Sequence, residues 1–178
     1  MRQLRILHLL AALGAASLLT SCGDSSEKSS PVRTYNLGEK ITVGHINYQV
    51  FETQWLTQIG TGTDARIPQH RFFVVRLQAQ NGFGSDVIVP NFILEDDSGA
   101  TYPEVNSGAG VPQYIGYLRS LKPTDFKEGN ALFDAPPRHY KLKLSDETGE
   151  KFAYVDIPLS FASENNEVPE AIPSQKKK

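Results

Sequence analysis

The strongest constraint on this chain is an alternation of apolar and polar residues with a period of two. In "HYKLKLSD", Tyr140, Leu142 and Leu144 alternate with Lys141 and Lys143. A strand points successive side chains to opposite faces, whereas a helix returns to the same face every three to four residues. "RFFVVRLQAQN" aligns Phe73, Val75, Leu77 and Ala79 against Arg76, Gln78 and Gln80. "KFAYVDIPL" sets Ala153, Val155 and Ile157 against Phe152 and Tyr154. In "KITVGHINYQV", Ile41 and Val43 share a face, and Ile46, Tyr48 and Val50 follow a break at Gly44-His45. "VIVPNFILED" places Ile88, Phe92 and Leu94 at even spacing before a turn at Asp96-Asp97-Ser98-Gly99. Helical periodicity is nearly absent. About seven such segments predict an all-β, two-sheet antiparallel sandwich spanning residues 35–161. Its expected core includes Ile41, Val43, Phe73, Val75, Leu77, Phe92, Leu94, Leu132, Tyr140, Leu142 and Ile157.

The connecting stretches are rich in Gly, Pro, Asn and Asp, which favour turns for distinct steric and hydrogen-bonding reasons. "NGFGSD" reads as a hairpin loop. "LKPTDFKEGN" reads as a Pro-led turn ahead of a strand opening at Ala131-Leu132-Phe133. Residues 106–117, "NSGAGVPQYIGY", form the most irregular stretch, and we expect a mobile loop displaying Tyr114 and Tyr117. Exposed tyrosines bring interface area at low entropic cost, so these two are the candidate partner-binding residues. Trp55 has two readings, core packing and interface contact, of which core packing is preferred.

Ahead of the β region the chain changes character. Arg2 and Arg5 precede an apolar run from Ile6 to Leu19, with no acidic residue before Asp24. A basic start, a short apolar stretch and small residues before a cleavage point describe an export signal. The run falls short of the roughly 20 apolar residues that a membrane-spanning helix needs. "LLTSC" closes it and holds the only cysteine, Cys22. Leu19-Thr20-Ser21-Cys22 resembles the bacterial lipobox. That resemblance implies cleavage before Cys22, a diacylglycerol on its thiol and acylation of the new amino terminus. Several acyl chains make a stable anchor, because each buried methylene contributes about 0.8 kcal/mol.

Four regions follow: a lipoprotein signal peptide over 1–21, the lipidated cysteine with a polar flexible tether over 22–34, the sandwich over 35–161, and a disordered tail over 162–178. The tether "GDSSEKSSPVR" and the tail carry too little apolar surface to offset the entropy of ordering. The closing lysine triplet reads as a solvated tail in preference to a contact with anionic lipid. The expected location is the outward face of the cell membrane, or the periplasmic face of an outer membrane where one exists.

Taken together, "LGEKITVGHINYQV", "FFVVRLQAQNGFGSDVIV", "FILEDDSGATY", "LKPTDFKEGNALFDAP" and "YKLKL" resemble the bacterial telokin-like, immunoglobulin-like domains of unknown function. These domains commonly follow a lipobox. The resemblance covers the whole expected domain. It implies an immunoglobulin-like sandwich and supplies no active-site residues.

Several chemistries find no support in the residues. Loss of Arg2 and Arg5 with the signal moves the formal net charge from −2 to about −4, and there is no basic block of the kind nucleic-acid binding requires. Cys22 is committed to lipid, and "GFGSD" lacks the Gly-x-Ser-x-Gly spacing of a nucleophile elbow. His45, His70 and His139 are dispersed, with no metal-binding spacing. Met1, the only methionine, leaves with the signal, so soft copper ligation is excluded. Glu95-Asp96-Asp97 reads as a turn in preference to a calcium site. We therefore expect no catalytic residue, no metal and no cofactor. The expected protein is a non-enzymatic binding or envelope-assembly module on a lipid bilayer, with another envelope protein or a peptide as partner. The alternative is an envelope hydrolase.

Overall fold

The computed structural model describes residues 32–160, so the signal peptide, most of the tether and the tail lie outside the described residues. The strands are β1 (Thr34–Tyr35), β2 (Lys40–Val43), β3 (Ile46–Leu56), β4 (Arg71–Asn81), β5 (Val87–Val89), β6 (Ile93–Asp96), β7 (Thr101–Pro103), β8 (Arg119–Leu121), β9 (Phe126–Ala135), β10 (Tyr140–Ser145) and β11 (Phe152–Ile157). One 3-10 turn, Gly62–Asp64, is the only helical element among the described residues. Seven strands have four or more residues, matching the expected number. The other four have two or three, too few to show a period in sequence.

The strands form two sheets, ordered β1-β11-β10-β6-β7 and β2-β3-β4-β9, and a short β5-β8 ribbon. All ladders are antiparallel except β1 on β11. The inner faces meet in one core holding every expected core residue but Leu132. Each fully buried Leu, Val or Phe there contributes about 1.5–3 kcal/mol of transfer free energy, which sets the scale of the stabilisation. Leu132 is buried too, but in a second cluster on the outer face of the β4-β9 ladder, with Ile59, Phe72, Val74 and Val111. The antiparallel β-sandwich expected from the alternation is the observed fold.

The ladder between β3 and β4 contains a β-bulge. Val50 pairs with Leu77, and Glu52 pairs with the next residue, Arg76, leaving Phe51 as the extra residue. Because the side-chain period is two, one inserted residue exchanges the faces downstream. Ile46, Tyr48 and Val50 point inward before the bulge, and Trp55 is carried inward after it. Its ring stacks on Phe73 at 4.2 Å between centroids, with Tyr140 at 6.3 Å. Trp55 is thus a partly buried core residue, as preferred above.

Three expectations are corrected. Ile88 is 67% exposed, while Val87 and Val89 are buried. Pro90-Asn91 breaks the strand, so the parity of Phe92 and Leu94 does not extend back to Ile88. "NGFGSD" is not a hairpin loop but a corner, because β4 and β5 belong to different sheets. The Asn81 side chain builds that corner: its amide donates to Ser85 O at 2.8 Å and Leu121 O at 3.1 Å, and its Oδ1 accepts from Phe83 N at 2.7 Å. Finally, β9 begins at Phe126, five residues before Ala131, because Phe126 to Glu128 continue the ladder with Gln80 to Gln78.

The turn at Asp96 forms as expected. Its carboxylate accepts from Ser98 and from the Ala100 amide, and Arg138 pairs with its other oxygen at 2.7 Å. The Ser98 hydroxyl is the main cause that holds this carboxyl down at about 2.

Deleting Phe51 removes the bulge but leaves Trp55 facing inward, because Glu52 to Trp55 keep their partners on β4 in regular alternation. Trp55→Ala instead removes the ring from Phe73, and losing a core aromatic costs about 3–5 kcal/mol. Denaturant unfolding of Trp55→Ala is therefore expected to show a loss of that order, whereas the Phe51 deletion is expected to leave Trp55 emission unshifted before unfolding.

Candidate functional site

The irregular stretch is a structural flap closed at its base by a buried ion pair. Glu104 stands just before it and Arg119 just after it, and both side chains are fully buried. The pair is bidentate, at 2.9 and 2.6 Å. Arg119 also donates to Asn91 Oδ1 at 3.0 Å and to Pro90 O at 3.3 Å, and its guanidinium lies 4.3 Å from the centre of the Phe92 ring. Glu104 accepts from Phe92 N at 2.8 Å. Nearly every polar atom is satisfied, as a buried charge pair requires if attraction is to offset desolvation. Arg119 Nε alone is buried without a partner.

Between these residues the chain is stitched to the edge of β9. Val105 N donates to Leu132 O at 2.7 Å, Asn130 N to Gln113 O at 2.9 Å, and Ile115 N to Asn130 O at 3.1 Å. A Cβ at Gly129 would lie 2.3 Å from Gln113 O, so only glycine permits this approach. Ile115 enters the main core and Val111 the outer cluster. From the opposite side, Arg66 donates to Ala109 O at 2.6 Å and Ser107 O at 3.1 Å. The expectation of a mobile loop is corrected, because this backbone is hydrogen-bonded on both sides and carries core side chains.

Tyr114 and Tyr117 are both half-buried. Tyr114 packs against the outer cluster, where its ring fills the space a side chain at Gly108 would need. Its hydroxyl donates to Val105 O at 3.1 Å, and burial raises its pKa. Tyr114 therefore seats the flap, whereas none of the packing clusters includes Tyr117.

Beside the flap, the outer face of β2-β3-β4 is polar and holds two open depressions. One, of about 360 Å³, is lined by Glu52, Gln54, Arg76, Gln113 and Asn130 among others. Arg76 spans it, meeting Glu128 at 2.7 Å and Glu52 at 3.3 Å. The second, of about 350 Å³, is lined by residues including Thr42, Asn47, Gln49, Gln78 and Gln80. These side chains can exchange hydrogen bonds with a polar surface or an extended backbone. The first depression also holds Thr53 beside the Arg76-paired Glu52, and the second holds Lys40 and Tyr48.

The three histidines among the described residues sit apart, and no two share a carboxylate. His45 pairs with Glu147 and stacks on Phe83 at 4.0 Å. His70 Nδ1 lies 3.5 Å from Asp134. His139 bridges the Asp97 turn and strand β11, with Nδ1 2.9 Å from Asp97 and Nε2 2.8 Å from Asp156. Both ring nitrogens face carboxylate oxygens, so the doubly protonated ring satisfies both contacts, and Asp156 first, then Asp97, raises its pKa. No group of three His, Cys, Asp or Glu side chains among the described residues is placed to hold a metal ion.

No protein-family model matches the chain, and no curated protein matches its sequence. Solved structures do match its fold. The yjhA protein of Bacillus subtilis is 17% identical with a TM-score of 0.54, covering 69% of this chain and 98% of its own. MPT63, a secreted protein of Mycobacterium tuberculosis, is 15% identical with a TM-score of 0.50, covering 73% and 99%. A candidate lipoprotein of Bacillus subtilis, ycdA, is 12% identical with a TM-score of 0.51, covering 67% of this chain and 38% of its own. At such identities the likeness shows the fold alone: this is a β-sandwich of the kind shared by these bacterial proteins.

Glu104 and Arg119 are absent from the expected site, although "LRSL" places Arg119 on the same face as Leu121 and so marks an inward charge. Removing one partner of a buried pair costs about 3–5 kcal/mol, because the other charge stays uncompensated. Arg119→Met and Glu104→Leu are each expected to lower stability by that order in denaturant unfolding. The double variant is expected to lose less than the sum.

His139 makes a second expectation. Its raised pKa means that its contribution is fully present below 6.5 and is lost as pH rises through the higher folded value. The thermal midpoint should therefore fall as pH increases above 6.5, and His139→Gln should flatten that limb. Asp96 acts with the opposite sign: its contribution is present above 3.8 and is lost as pH falls toward 2.

Proposed function

We propose that the protein is a non-enzymatic binding or envelope-assembly module, held on the outward side of a membrane through lipid on Cys22. The observation that carries the anchor is the placement of the only thiol at the lipobox position. A candidate lipoprotein and a secreted protein among the fold neighbours support an extracytoplasmic setting. No helix among the described residues is long and apolar enough to cross a membrane. The immunoglobulin-like, telokin-like affinity belongs to the same proposal.

The module reading is supported by where the polar groups go. A hydrolase needs a cleft with converging titratable groups. Here the buried pair braces the flap, the histidines are paired apart, and the depressions bring together amides and a salt-bridged arginine. A polar, open sheet face beside a braced flap suits the surface of another envelope protein or a peptide. Tyr117, with Tyr114 behind it, is the contact we assign to the flap.

Replacing Cys22 with Ser is expected to move the protein from the membrane to the soluble extracytoplasmic fraction. Retention in the membrane contradicts the anchor. Crosslinking in the native envelope should capture a partner whose yield falls in Tyr117→Ala with stability unchanged. An unchanged yield removes Tyr117 from the contact.

A further inference from the structure

One end of the sandwich gathers the turns nearest to where the described chain begins. Arg33 O accepts from Tyr154 N at 2.9 Å, which places residues 32–33 beside the start of β11. The β10-β11 turn at the same end touches the β2-β3 turn: His45 N donates to Glu147 Oε2 at 3.2 Å. Gly82 N then donates to His45 O at 2.8 Å, and Asn81 N to Asp125 O at 2.9 Å. Four turns and the entry of the chain are therefore interlocked at this near end. Trp55 and Ile67 lie at the opposite end, because β3 runs away from His45 and β4 runs back toward Asn81.

The near end displays apolar side chains that the core does not use. Val32, Phe83 and Phe126 are 48%, 44% and 55% exposed. Phe83 and Phe126 flank the Asn81 corner, and Phe83 is braced from behind by the His45 ring. Charges are interleaved around them, with Lys122 and Lys127 on either side of Asp125 and Lys151 beside Glu150. Such a surface is not built for strong attraction to an anionic partner. It has exposed aromatic rings at a rim of mixed polarity.

Chain length chooses the occupant. Ten residue steps separate Cys22 from Val32. Fully extended, each spans at most about 3.3–3.6 Å, so whatever path they take they reach no further than roughly 35 Å. An 11-residue strand such as β3 is itself about 35 Å long. With Cys22 at the bilayer, the far end could meet the lipid only with the linker at full stretch and the domain turned over. The near end needs no such stretch.

We propose that this near end is a lipid-facing surface, with Phe83 and Phe126 resting among the phospholipid headgroups. The inference rests on the anchor proposed above. It makes the lipidated chain a two-point contact, by acyl chains and aromatic rings, with β3 standing away from the membrane. Apolar side chains at a bilayer boundary bury about 5–10 Å deep, within reach of shallow quenchers.

The test uses the full chain, processed in cells, extracted and reconstituted into phosphatidylcholine vesicles carrying brominated lipid near the headgroup. Trp55 is the native reporter of the far end and is expected to keep its emission. Phe83→Trp and Phe126→Trp are expected to add emission that shifts blue and is quenched. Ile67→Trp, at the far end and 70% exposed in the parent residue, is expected to escape quenching. Quenching of Ile67→Trp equal to that of Phe83→Trp, or none at Phe83 and Phe126, overturns the lipid-facing end while Cys22→Ser release keeps the anchor. Failure of Cys22→Ser to release the protein overturns the anchor, and the inference with it.

Discussion

The ion pair of Glu104 and Arg119 is the interaction on which the outer architecture depends. It closes a 14-residue excursion at its base, holds Phe92 by both a hydrogen bond and a cation–π contact, and ties the β5-β8 ribbon to the end of β7. A loop so closed loses its freedom at both ends, which lowers the cost of ordering what lies between. Val111 and Tyr114 can then cover the apolar outer face left by Phe72, Val74 and Leu132. The sandwich has, in effect, a second small core outside the first, and a charged clasp holds its lid.

This explains how polar and apolar surface is divided on one sheet. The half of the β4-β9 face under the flap is apolar because it is covered. The half beyond it carries Arg76, Gln78 and Gln80 because it is not. The open depressions lie on that second half, so the flap marks the boundary of the surface offered to a partner. The ends of the sandwich differ as well. One gathers exposed aromatic rings beside the entry of the chain, and the other holds Trp55, Tyr140 and the His139 bridge.

Much of the sandwich is legible in alternation alone. The longer strands announce themselves because one face is buried and the other wet, as in Tyr140 to Leu144. What is not legible follows from local exceptions to that rule. Phe51 shifts the parity of β3 without any glycine or proline to mark the bulge. Pro90-Asn91 resets the parity between Ile88 and Phe92, and "RFFVV" hides two buried faces within one apolar run. The irregular stretch misleads most, since glycines read as freedom. Gly129 and Gly108 instead permit close approach, by backbone at one and by the Tyr114 ring at the other. Arg119 shows that a single inward charge, set at a core parity beside Leu121, is a legible sign of a buried clasp.

Whether residues 105–118 are a braced structural element or a free loop is the question on which this account stands. Native-state hydrogen exchange at the amides of Val105, Ile115 and Asn130 tests it most directly, because each donates to a backbone carbonyl that joins the flap to β9. The account predicts that these three amides exchange slowly and together, with protection close to that of the β4-β9 ladder. Exchange at the rate of exposed turn amides such as Gly84, while the ladder stays protected, would contradict it.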